Sequence, residues 1–117
     1  MQIEPVEPAD AVPTRRGAAS RLATALLDLA GGQARLVSQC ETNWASITFA
    51  GTRHRCVLAF AGAEAVKAGE CFIAFLPEHE FAIPGRLVAD AAVTEVDHRL
   101  DPPLLMVTCE LLLLEEG

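Results

Sequence analysis

Apolar residues recur at three- and four-residue spacings over residues 15–30, the period of an α-helix with one buried face. Thr14 precedes this stretch, and threonine caps helix N-termini through its hydroxyl. Gly31 and Gly32 follow it, and glycine adopts the left-handed conformation that ends a helix without a steric penalty. The spacing therefore predicts a first helix whose inward face carries Ala19, Leu22, Ala23, Leu26 and Ala30.

Short β-prone runs replace the helical pattern after residue 33. The polar residues 41–43 and the Gly-Thr pair at 51–52 separate three of these runs, so we expect strands over residues 34–40, 44–50 and 53–61. In the third run, Arg53 and Arg55 alternate with His54 and Cys56. One face of this strand is therefore predicted to be buried and the other to meet water.

A second helix is predicted over residues 63–76, where apolar residues again fall near one face. Gly69 lies in its middle, and glycine costs a helix about 1 kcal/mol relative to alanine. A shorter helix followed by a strand over residues 71–75 is therefore an alternative. Pro77 ends the segment in either case, and Pro84-Gly85 is typical of a turn.

The C-terminal part predicts a hairpin of two strands, residues 86–96 and 104–114, joined by a turn over residues 98–103. The last strand is apolar on both faces. One face carries Leu105, Val107, Cys109, Leu111 and Leu113, and the other carries Leu104, Met106, Leu112 and Leu114. A strand of this kind lies in the middle of a sheet with cover on both sides, or is covered by a partner chain.

Together these elements predict an α+β protein with an antiparallel sheet of about five strands and two helices, in the order α-β-β-β-α-β-β. Residues 1–13 combine prolines with acidic residues and are expected to form a flexible N-terminal arm. Residues 14–117 then make up a single α+β domain. Two helices can cover only one face of such a sheet.

Charge and cysteine usage narrow the classes of partner. The 117 residues include 16 acidic and 9 basic side chains, a net charge of −7, which repels phosphates and anionic lipid headgroups. We therefore expect neither nucleic acid nor a membrane as partner. The sequence opens without a basic and apolar leader, which favours a cytoplasmic protein. The four cysteines are widely spaced among apolar residues, which indicates reduced core residues.

The strongest candidate for chemistry is Glu78-His79-Glu80, in which an imidazole lies between two carboxylates. Such a histidine is a candidate base, metal ligand or ligand-binding group. A zinc-enzyme helix motif, however, needs two histidines four residues apart. His54 and Cys56 share a strand face, yet no spacing supplies the other ligands of a zinc site, and a buried histidine bonded to a backbone carbonyl is the simpler interpretation. We expect no metal and no cofactor.

The function favoured by these patterns is that of a small non-enzymatic binding or accessory protein that forms a homodimer. The candidate interface residues are Leu104, Met106, Leu112 and Leu114, because the helices cannot cover their face. The alternative is a small enzyme or ligand-binding domain with a site at Glu78, His79 and Glu80, whose small-molecule ligand is unknown. The two hypotheses differ in whether these three side chains line a cavity or point into solvent.

Overall fold

A computed structural model describes the backbone from Pro13 to Glu116 and the side chains from Gly17 to Glu116. The chain folds as an α+β structure with two helices and a four-stranded antiparallel sheet, in the order α-β-β-α-β-β. The elements are α1 (Pro13–Leu29), β1 (Arg35–Ala45), β2 (Ala50–Ala61), α2 (Ala63–Phe75), a 3₁₀ turn (Leu76–Glu78), β3 (Arg86–Leu100) and β4 (Pro103–Glu115).

The strand order in the sheet is β1-β2-β4-β3, and every neighbouring pair is antiparallel. After β2 the chain crosses through α2 to the far edge, runs along it as β3 and returns as β4 between β3 and β2. The last strand therefore lies in the middle of the sheet, as its apolar character on both faces predicts.

The predicted count of five strands is wrong, because the second predicted strand, residues 44–50, is divided between the end of β1, a turn and the start of β2. Residues 41–43, expected as a turn, pair with residues 52–54 and continue β1. The Gly-Thr pair at 51–52, also expected as a turn, lies inside β2. The actual turn is at residues 46–49, where the Ser46 hydroxyl accepts a hydrogen bond from the backbone N–H of Phe49 at 3.0 Å. These polar residues can lie within a strand because the hydrogen bonds between strands involve backbone N–H and C=O groups, which every non-proline residue has.

The helix predictions are confirmed, with small shifts. α1 begins at Pro13 and not after a Thr14 cap, and the positive φ angles of Gly31 (69°) and Gly32 (72°) end it as expected. The segment after β2 is one helix, so the alternative with a strand at residues 71–75 is wrong. Both C-terminal strands are longer than predicted, with only Asp101-Pro102 between them. Of the predicted N-terminal arm, residues 1–12 lie outside the described residues.

Both helices pack on the same face of the sheet, which we call the helix face. On α1, Leu22 and Leu26 are fully buried, and Gln39 of β1 donates a hydrogen bond from Nε2 to the Ala19 carbonyl at 3.0 Å. On α2, Phe72 packs against Phe60 of β2 with ring centroids 5.8 Å apart. The strand residues beneath them are fully or almost fully buried: Cys56, Leu58, Phe60, Leu105, Val107, Cys109, Leu111 and Leu113. Each buried aliphatic side chain stabilises the fold by roughly 1.5–3 kcal/mol.

Candidate functional site

The opposite face of the sheet, which we call the open face, carries no helix from the described part of the chain. Directly paired residues of antiparallel strands point to the same side, so the strand register defines this face row by row. At one end the register aligns four apolar positions across the sheet, in the order Trp44, Gly51, Leu114 and Leu87. Leu87 leaves 53% of its surface exposed. An apolar band therefore crosses all four strands at this end.

Charged side chains occupy the centre of the open face. The Arg55 guanidinium on β2 lies 3.8 Å from a Glu95 carboxylate oxygen on β3 and 3.9 Å from one of Glu110 on β4. Arg53 and Asp90 lie one row nearer the apolar band. These ion pairs are long and largely exposed, so each contributes at most about 1 kcal/mol in the isolated chain.

The far end of the open face is apolar in the two central strands and charged at the β3 edge. Asp97 and Arg99 form an ion pair of 3.3 Å on β3. A depression of about 370 Å³ lies between this edge and the central strands. It is lined by Val57, Leu104, Met106, Thr108, Glu95, Asp97 and Arg99. This end of the open face thus offers a shallow concave surface.

All four predicted interface residues lie on the open face, but they differ in accessibility. Leu104 and Met106 are half-buried, whereas Leu112 and Leu114 each expose only 8% of their surface. Leu104 and Met106, together with Leu87, which the sequence did not single out, are therefore apolar side chains of the open face that a partner can reach.

The Glu78-His79-Glu80 run lies at the end of the 3₁₀ turn and in the loop after it. All three side chains are exposed, and the His79 ring contacts Phe81 edge-to-face with centroids 4.6 Å apart. None of the three lines the depression on the open face. The loop that follows lines two shallow grooves, of about 290 and 360 Å³, and the trio contributes to neither. The structure therefore places the three side chains at the surface, outside these three depressions.

His54 is the most unusual polar residue of the core. It is fully buried on the helix face, and its Nε2 lies 2.8 Å from the Thr52 hydroxyl, whereas a backbone carbonyl was the expected partner. Its Nδ1 is buried without a hydrogen-bond partner among the described residues. Burial lowers the pKa of His54 from its ordinary value of 6.5, and the positive charge of Arg86 lowers it further. His54 is therefore neutral in the folded protein at pH 7.

The cysteines divide into two classes, which corrects the prediction that all four are core residues. Cys40 and Cys71 are exposed, because β1 turns Cys40 to the open face and α2 turns Cys71 outward. Cys56 and Cys109 are buried directly opposite each other on β2 and β4. The hydrogen bond with Cys56 and the burial of the site both raise the pKa of the Cys109 thiol. The Cys109 thiol is therefore not in the setting of a reactive nucleophile.

The described residues contain neither a candidate metal site nor a membrane-spanning helix. Between Pro13 and Glu116 no cluster of three or more histidine, cysteine or acidic side chains is arranged to hold a metal ion. Over the same residues neither helix has the length and apolar character needed to cross a bilayer.

The most informative feature missed by the sequence analysis is the charge pattern of the open face. Arg35, Arg53 and Arg55 all lie on its β1–β2 half, whereas Asp90, Glu95, Asp97 and Glu110 lie on its β3–β4 half beside Arg99. The sequence did contain one signal for this feature: several charged residues occur at every second position along a strand, which places them on the same face. Their grouping by sign depends on strand order, which the sequence does not display.

Comparison with known proteins adds no functional information: no family model matches the chain, and no curated protein or solved structure matches it either.

Proposed function

We propose that this protein is a non-enzymatic interaction module that forms a homodimer through the open face of its sheet. The observation that carries the proposal is the group of half-buried apolar side chains that the central strands β2 and β4 present on the open face, where no helix of the described region lies. Their helix-face residues are buried under α1 and α2, while their open-face residues include the accessible Leu104, Met106 and Val57. Accessible apolar residues next to one another in central strands are characteristic of protein–protein interfaces.

The size of the open face suits a stable dimer. Four strands spaced about 4.8 Å apart give a width of about 19 Å, and the eleven-residue ladder of β2 and β4 gives a length of about 36 Å. A flat face of that size covers about 700 Å², so two copies would bury about 1,400 Å² between them, within the range of standard interfaces. Face-to-face packing would also resemble the two-layer sandwich that antiparallel sheets commonly form.

The alternative function, an enzyme or ligand-binding domain at Glu78, His79 and Glu80, has less support. These side chains point into solvent, and catalytic or ligand-binding groups act by converging on a shared cavity. The proposal predicts that replacing all three by alanine leaves self-association and folding unchanged.

The dimer is tested by size-exclusion chromatography with light scattering over a range of protein concentrations. Leu87→Asp is the best perturbation, because Leu87 is 53% exposed on the open face and its replacement spares the core. Phe75→Asp is the matched control, since Phe75 is 61% exposed on α2, away from that face. Burying an unpaired carboxylate in an interface costs at least several kcal/mol, so the Leu87 variant should be monomeric and the Phe75 variant dimeric.

Two further substitutions refine the test. Met106→Asp acts nearer the middle of the interface and should also give a folded monomer, whereas Leu112→Asp should unfold the chain because Leu112 is only 8% exposed. A wild-type chain that is monomeric even at high micromolar concentration would refute the proposal. So would a dimer that is lost with Phe75→Asp and kept with Leu87→Asp.

A further inference from the structure

The open face is divided electrostatically along a line between β2 and β4. Its basic residues on the β1–β2 side are Arg35, Arg53 and Arg55, and no acidic side chain of the described region lies on that side. The β3–β4 side carries four carboxylates and one guanidinium. A surface that is basic on one half and acidic on the other can be complementary to a second copy of itself, provided that the two copies are rotated so that unlike halves meet.

Two orientations of a two-fold axis lying between stacked sheets illustrate the choice. An axis parallel to the strands places β2 over β4 of the second copy and β1 over β3 of the second copy. Each row of paired residues then lies over the equivalent row of the second copy. Arg55 then faces Glu110 of the second copy, and Arg35 faces Asp97. Stacked sheets lie about 10 Å apart, a separation that an arginine and a carboxylate can bridge together. Trp44 faces Leu87 of the second copy in the apolar band at the end.

An axis perpendicular to the strands places each strand over the same strand of the second copy, running in the opposite direction. Arg55 then lies within one row of Arg55 of the second copy, and Asp90 faces Asp97. Like charges brought together during desolvation oppose association strongly. The charge distribution therefore selects the first orientation over the second.

We infer that two copies of this chain associate face to face about a two-fold axis parallel to the strands, with Arg55 of each paired to Glu110 of the other. This inference rests on the proposed homodimer and adds its geometry. Within one chain Arg55 and Glu110 are direct cross-strand neighbours only 3.9 Å apart, so in the dimer the two pairs form one cluster of four alternating charges around the axis. The remaining pairs bring the basic edge of one sheet over the acidic edge of the other.

Complementary charge reversal tests this geometry. Arg55→Glu places a carboxylate against Glu110 of the opposite chain, and Glu110→Arg places a guanidinium against Arg55. Each variant alone should dimerise at least about tenfold more weakly than the parent, because every broken contact occurs twice about the axis. An equimolar mixture of the two variants should form a heterodimer, since in each cross-chain contact the two charges then have opposite signs. Native mass spectrometry or sedimentation with one chain labelled detects it.

Controls separate the cross-chain effect from effects within one chain. Lys67→Glu and Glu70→Arg reverse exposed charges on α2 and should leave the dimer unchanged. Thermal unfolding of each open-face variant verifies that it is folded. Folded variants that recover association on mixing support the inference, because a purely internal defect cannot be repaired by another chain.

The outcomes that contradict the inference are distinct. A monomeric wild-type chain would overturn both the homodimer and its geometry. A wild-type dimer that is disrupted by Leu87→Asp, but whose charge-reversed variants show no preference for heterodimers, would overturn the strand-parallel axis alone. Charge-reversed variants that dimerise as strongly as the parent would do the same.

Discussion

Two glycines in helices should respond oppositely to replacement by alanine. Gly69 lies on the buried side of α2, where an added methyl group would sit 2.6 Å from Cδ2 of Leu105 and 2.9 Å from Cγ of Phe60. Carbon atoms in contact are normally about 3.5–4.0 Å apart. Gly17 lies in α1, and an added methyl group there meets nothing within 4 Å. The two substitutions share the gain in helix propensity but differ in steric cost.

The magnitude follows from these two contributions. Glycine to alanine stabilises a helix interior by about 1 kcal/mol, which we expect in full for Gly17→Ala. At Gly69 the same gain is opposed by overpacking of about 1–3 kcal/mol, because Leu105 and Phe60 are at most 2% exposed and have no free volume to enter. Gly69→Ala should therefore be neutral to destabilising by about 2 kcal/mol, and the difference between the variants isolates the steric contribution.

Urea unfolding monitored by circular dichroism measures both variants. All samples need the same chain concentration, because self-association makes apparent stability depend on concentration. Shortening the obstructing side chain, Leu105→Val, should reduce the penalty of Gly69→Ala in a double-mutant cycle. If Gly69→Ala stabilised the protein as much as Gly17→Ala, the close approach of α2 to the sheet would be refuted.

Two further predictions concern buried groups. In the native protein a small aromatic disulfide reagent should react rapidly with Cys40 and Cys71 only, and all four thiols should react after denaturation; rapid reaction of all four in the native state would contradict the burial of the other two. Because the pKa of His54 is lowered on folding, the unfolded chain binds a proton that the folded chain does not, so stability should fall as the pH drops below about 6.5. His54→Gln should reduce this slope in urea midpoints measured between about pH 7.5 and 5.

Much of the secondary structure could be predicted because its signals are local. The helical spacing of Leu22 and Leu26, the terminating Gly31-Gly32 pair and the turn at Pro84-Gly85 each depend on residues within a few positions of one another. The alternation along β4 likewise separated the residues of the helix face from those of the open face. The local signals failed at residues 41–43, where polar residues resemble a turn but pair within a strand.

The role of Gly69 shows how a local signal can be outweighed. As a helix residue it weakens the prediction of α2, yet in the fold it is the residue that lets the helix approach Phe60 and Leu105. The helix forms because its buried face gains more from packing than glycine loses in propensity.

Composition was sufficient to determine the net charge, and local patterns were sufficient to predict the two helices and the apolar character of both faces of β4. The assembled fold was needed to show that β4 inserts between β2 and β3, that His54 is buried and that Cys56 lies opposite Cys109. The same strand order groups the arginines and the carboxylates on opposite halves of the open face. The reason is that strand order and register join residues some fifty positions apart, and no local pattern encodes which strand will be the neighbour of which.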